Sequence, residues 1–280
     1  MARRPLVLLV FAAASAFAAV LVWIAAFHVG AARVLDGRAL DSFAGVAQLP
    51  LKPSISGIAV LADPGPFALW AIVIGGIALV RGRHLMAATV AAILLSANVA
   101  THLLKPALAD PRAFELQGVQ AVYPGSWPSG HSTAAMSLAL CLVLVAGPRL
   151  RPLAALVGAG FAVAMGYSLV VLGYHLPSDV LGGFLVAATF TLLGAAALGA
   201  LEARRPAHAP SPSRPPAMLS APALASSAVA LLAVAAVAVL WQSPGASRDL
   251  LGHPVAILAG LGIAGLGLAL TSGMAFLLRR

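Results

Sequence analysis

The chain has 280 residues, of which 61% are hydrophobic and only 9% charged, and its mean hydropathy is +1.00. So little polar surface cannot cover a water-soluble globule, and apolar runs of about 20 residues imply transmembrane helices, because backbone groups in hydrocarbon must pair within the segment. The net charge of +9 is spread as pairs between the apolar runs, which excludes the continuous basic stripe of a nucleic-acid binder.

The expected fold class is all-α, a polytopic transmembrane bundle. In chain order the apolar segments are 6–27, 67–80, 85–104, 132–146, 153–173, 180–201, 218–241 and 255–278. The first follows Arg3 and Arg4 but is too long for the apolar part of a signal peptide, so it reads as a span. The second is short and follows Asp63-Pro64-Gly65-Pro66, a run that breaks helices by fixing φ and removing N–H donors. The fourth, also short, starts at a Pro-Ser-Gly turn and contains the lone Cys141, which reads as a packing residue. After the sixth, residues 202–217 turn to Pro, Ser, Arg and Ala, the composition of a flexible linker. The expected organisation is therefore a six-span core over 1–201, a linker over 202–217 and a two-span tail over 218–280. The tail carries no chemical cluster, so packing, or contact with a partner protein or a second copy, is its expected role.

Loop charge orients this layout. With the N-terminus inside, the inner loops hold eleven basic residues and one acidic residue, and the outer loops six basic and seven acidic ones. Excess Lys and Arg marks the cytoplasmic side, so both termini are expected there. The abundance of Ala, Gly and Arg over Lys is that of a GC-rich bacterial genome, so the expected location is a bacterial plasma membrane.

Two outer loops carry the chemistry. One runs from Lys105 through Arg112 to Trp127-Pro128-Ser129-Gly130-His131. The other reads Gly173-Tyr174-His175-Leu176-Pro177-Ser178-Asp179. A small-residue turn that opens a helix offers free N–H groups backed by the helix dipole, and Ser129-Gly130 matches that anion-binding requirement. Lys105 and Arg112 add positive charge, the guanidinium with paired donors for phosphate oxygens. Of two histidines, one can attack phosphorus while the other protonates the departing oxygen. Asp179, four residues after His175, is placed to hold that imidazole in one tautomer. No HExxH or other ligand spacing is present, so no metal and no cofactor is assigned. Alone, each residue has an ordinary explanation, as interface anchor, helix cap or first-turn carboxylate; the combination on one face favours a phosphate site.

Lys105-x6-Arg112, then Pro128-Ser129-Gly130-His131, then Ser168-x6-His175-x3-Asp179 resembles the type-2 phosphatidic acid phosphatase (PAP2) family across roughly residues 6–201. The resemblance implies an outward-facing phosphatase that acts on a membrane lipid phosphate or diphosphate of the phosphatidic acid, phosphatidylglycerol phosphate or polyprenyl class. It implies His175 as the nucleophile of a phosphohistidine, His131 as general acid and Asp179 as the partner of His175. Lys105, Arg112, Ser129 and Gly130 would bind phosphate, with Ser168 and Tyr174 in support. There are two departures. Ala113 stands where the family usually has Pro, and Leu169 follows Ser168 where the family has a phosphate-binding arginine. Losing that contact would cost about 2 to 4 kcal/mol of transition-state binding, so Leu169→Arg is expected to raise turnover if this charge limits the site. The alternatives are phosphoryl transfer to another lipid or sugar, and binding or transport of a lipid phosphate without turnover.

Overall fold

A computed structural model describes residues 3–44, 52–109, 125–204 and 254–279. Within them the chain is helical, with no strand: α1 (Arg3–His28), α2 (Gly30–Ala44), α3 (Lys52–Val60), α4 (Pro64–Val80), α5 (His84–Ala107), α6 (Gly130–Val145), α7 (Arg151–Val171), α8 (Pro177–Ala203) and α9 (Pro254–Leu277). Arg112, most of the expected linker and the expected span 218–241 lie outside the described residues.

Helices α1, α5, α7, α8 and α9 are each long and apolar enough to cross a membrane. The break at Asp63 is real: α3 and α4 together have the composition of one span, but they meet at a 57° bend. Asp63 is extended at the N-cap of α4, with Pro64 opening the first turn, where its missing N–H costs nothing.

The 16-residue α6 is about 24 Å long, less than the hydrocarbon thickness of about 30 Å. From Ser132 to Val145 nearly every residue is buried, which identifies the central helix of the bundle: it is apolar all round because neighbours surround it. Helices α5, α7, α8 and α9 pack against it. Small residues permit the close approach; a Cβ at Gly158 of α7 would lie 2.9 Å from Ala139 of α6. Helix α8 is the second hub, contacting α1, α5, α6 and α9. Helix α9 lies against α7, α2, α6 and α8, with Ile263, Gly267, Thr271 and Met274 buried. Its outer face and that of α1 expose Leu258, Leu261, Leu6, Val10 and Phe17, as lipid-facing helices do.

Helix α2 is a further element in the first long loop. Its sequence is too polar to span, yet Asp36, Ala39, Leu40 and Phe43 fall on one inward face at helical spacing. It packs on α1, α7, α8 and α9.

The helix ends sort into two layers. The C-termini of α5 and α7 and the N-termini of α6 and α8 meet at one end with the α3–α4 bend. At the other end lie Arg4, Arg81, Arg83 and Arg151.

Candidate functional site

The two motif loops are joined by backbone. The Ser129 N–H donates to the Asp179 carbonyl at 3.0 Å, which ties the start of α6 to the first turn of α8. Ser129 caps α6, its Oγ accepting the Ser132 N–H at 3.3 Å. Trp127, joined to Pro128 by a cis peptide, is buried with Ala26 and Phe27 at the end of α1. Its indole lies where Gly182 lacks a side chain; a Cβ there would approach Trp127 Nε1 to 2.5 Å. Gly183 has the same function for the α6 backbone, since a Cβ would lie 2.7 Å from Ser129 O and 3.0 Å from Thr133 N.

His175 follows the sharp end of α7. Gly173 has φ of +74°, which glycine adopts without strain, and the chain turns back so that the Tyr174 and His175 N–H groups both reach Leu169 O. His175 Nδ1 then stands 3.2 Å from Asp179 Oδ2, and the same oxygen accepts the Leu176 N–H at 3.1 Å. Asp179 is fully buried and His175 nearly so. A proton on Nδ1 shared with this carboxylate leaves the lone pair on Nε2. Lys105, in the last turn of α5, is close enough for its charge to act on Asp179. One turn earlier the Thr101 hydroxyl meets Thr133 Oγ1 of α6 at 3.1 Å, fixing α5 beside the capped helix.

His131 has a partner that was not legible in the sequence. Its Nε2 lies 2.9 Å from Asp63 Oδ1, at the bend between α3 and α4. Both side chains are partly open to solvent. Asp36 of α2 is a second such residue: its carboxylate accepts the Ser178 N–H at 3.0 Å and the Ser178 hydroxyl at 2.5 Å, docking α2 on the first turn of α8. Asp63→Asn removes the carboxylate charge that faces His131. It is expected to lower turnover about tenfold to a hundredfold with little change in KM, measured by steady-state kinetics on the purified protein.

The structure thus brings Lys105, Ser129, Gly130, Asp179 and His175 to one end of the bundle, with His131 one residue into α6. Arg112 lies outside the described residues. Ser168 is buried and its hydroxyl donates to Met165 O of its own helix, whereas Tyr174 is 60% exposed. Among the described residues no three His, Cys, Asp or Glu side chains converge as a metal cluster would.

Leu169 is 1% exposed and packs with Ala59 and Ala62 near the end of α3, Ala134 and Ala135 of α6, and Met165. An arginine here would enter an apolar cluster, which revises the expectation for Leu169→Arg. Burying the charge costs about 3 kcal/mol, so thermal unfolding in detergent should show lower stability, without faster turnover; a rate gain would show that the site lacks a cation at this position.

Residues 86–203 match the PAP2 superfamily. The match runs from the third residue of α5 to the end of α8 and takes in every site residue expected from the sequence. The PAP2 fold extends beyond that segment: a solved structure, described as the crystal structure of the first transmembrane PAP2-type phosphatidylglycerolphosphate phosphatase from Bacillus subtilis, is similar with a TM-score of 0.53 at 24% identity, covering 72% of this chain and 98% of that one. No curated protein sequence matches. The chain is a multi-pass membrane protein with an all-helical PAP2-type fold.

Proposed function

We propose that the chain is a membrane phosphatase that cleaves a lipid phosphate or diphosphate through a phosphohistidine. The observation that carries this reading is the bond from Ser129 N–H to the Asp179 carbonyl, which sets the capped start of α6 against the His175–Asp179 pair. His175 Nε2 attacks phosphorus, the N–P bond forms and the P–O bond to the lipid breaks. His131, protonated beside Asp63, gives its proton to the departing lipid oxygen. Water then attacks the phosphohistidine, losing a proton to His131 as the N–P bond breaks, which releases phosphate and restores both histidines. The N–H groups of the first turn of α6, with Lys105 and Arg112, hold the phosphoryl oxygens as charge develops. The shortness of α6 favours a membrane-borne substrate, because the site then opens near the lipid headgroups.

The substrate class is phosphatidic acid, phosphatidylglycerol phosphate, or a polyprenyl phosphate or diphosphate. A panel of these in mixed micelles tests the reading: free phosphate is the expected product. A new phosphorylated lipid or sugar would mean transfer instead. The apolar packing of Leu169 favours a second reading, in which lipid phosphate is bound without turnover; retention of a labelled lipid phosphate with no release from any member of the panel is its result.

A further inference from the structure

At the end of the bundle opposite His175, arginines converge where the membrane-facing helices leave a groove. Arg151 opens α7 and is within electrostatic reach of Arg4, Arg81 and Arg83. Its Nε donates to Ala146 O at 3.2 Å and its Nη1 to Leu278 O, and Arg81 Nη1 donates to Val145 O at 3.0 Å. These carbonyls fix two guanidiniums without neutralising them. The carboxylate of Glu202, 3.5 Å from Arg83, is the acidic group that lines this site among the described residues.

Arg4, Arg83 and Arg151 line a cavity of about 140 Å³ together with Glu202. Arg4 also lines an apolar cavity of about 590 Å³. Phe11 and Ser15 of α1, Ala188 and Leu192 of α8, and Leu270 and Met274 of α9 line its walls. Arginines at a membrane border are ordinarily interface anchors. Here three of them line one cavity and Arg4 also lines a separate apolar one, a pairing of charge and apolar surface that suits a phosphodiester headgroup joined to an acyl chain.

We propose that this is a binding site for an anionic phospholipid of the leaflet at the arginine-rich end, separate from the catalytic site. The chain lies in the groove between α1 and α9 over α8, and the phosphate lies between Arg4, Arg83 and Arg151. A phosphodiester lipid is not a phosphomonoester substrate, so occupancy here is independent of turnover.

The experiment titrates the full chain in detergent with dioleoylphosphatidylglycerol, dioleoylphosphatidylcholine or inorganic phosphate, and reads thermal unfolding. A ligand that binds only the folded state raises the midpoint in a saturable way. The expected result is saturable stabilisation by phosphatidylglycerol alone, with the half-saturating concentration at least about tenfold higher in the Arg4→Gln/Arg83→Gln variant. Phosphate release by that variant in zwitterionic micelles, unchanged from wild type, shows that it is folded, and the headgroup comparison on wild type stands without it. Equal stabilisation by phosphatidylcholine overturns the proposal, as does a full effect from inorganic phosphate or an undiminished one in the variant. No shift with any ligand also overturns it, as when the chain's own 218–241 segment or a second copy fills the groove.

Discussion

Replacing His175 with Ala is expected to lower phosphate release at least about a thousandfold while the protein stays folded. The substitution removes the nitrogen that forms the covalent bond in the proposed mechanism, and the other motif histidine, His131, is held by Asp63. The fold tolerates the loss because Asp179 keeps the Leu176 N–H on the same oxygen and remains close to the charge of Lys105. Phosphate release from a lipid phosphate, read beside the thermal unfolding midpoint, checks both halves. A variant that unfolds would point to a structural histidine, and one that retains turnover would remove it from the chemistry.

Gly183→Ala is expected to be nearly as damaging, through geometry rather than chemistry. The added Cβ meets Ser129 O at 2.7 Å and Thr133 N at 3.0 Å, both backbone atoms of the first turn of α6. No side-chain rotation relieves these contacts, so α6 and α8 must separate, and the bond from Ser129 to Asp179 lengthens or breaks. Overpacking of this kind costs about 1–3 kcal/mol, and displacement of a site by about 1 Å can cost a hundredfold in rate. The expected result is about a hundredfold loss of phosphate release with a lower unfolding midpoint. Gly160→Ala in α7, where a Cβ meets nothing within 4 Å, is the control and leaves both unchanged.

The spanning helices were legible because lipid imposes length and apolarity on a single segment, so hydropathy alone finds them. The bend at Asp63 was legible through two prolines. Helix α2 was not found by hydropathy, since Arg33, Asp36, Arg38 and Asp41 interrupt it; only the helical spacing of its buried face marks it. The His175–Asp179 pair could be read from a four-residue spacing at a helix start. The His131–Asp63 pair could not, because its members stand 68 positions apart and meet only through the α3–α4 bend. The environment of Leu169 was hidden for the same reason: its neighbours come from three helices, and sequence shows the missing charge but not the apolar cluster in its place.

The central claim is that phosphate passes through His175. A candidate lipid phosphate labelled with radioactive phosphorus, mixed with the protein and quenched in alkali, which spares phosphoramidates, tests it most directly. Label is expected on the peptide that contains His175, absent from His175→Ala and accumulating when His131 is replaced by Ala with an activated substrate whose leaving group needs no proton. Phosphate release without a labelled protein, or label on a peptide that lacks His175, would contradict it.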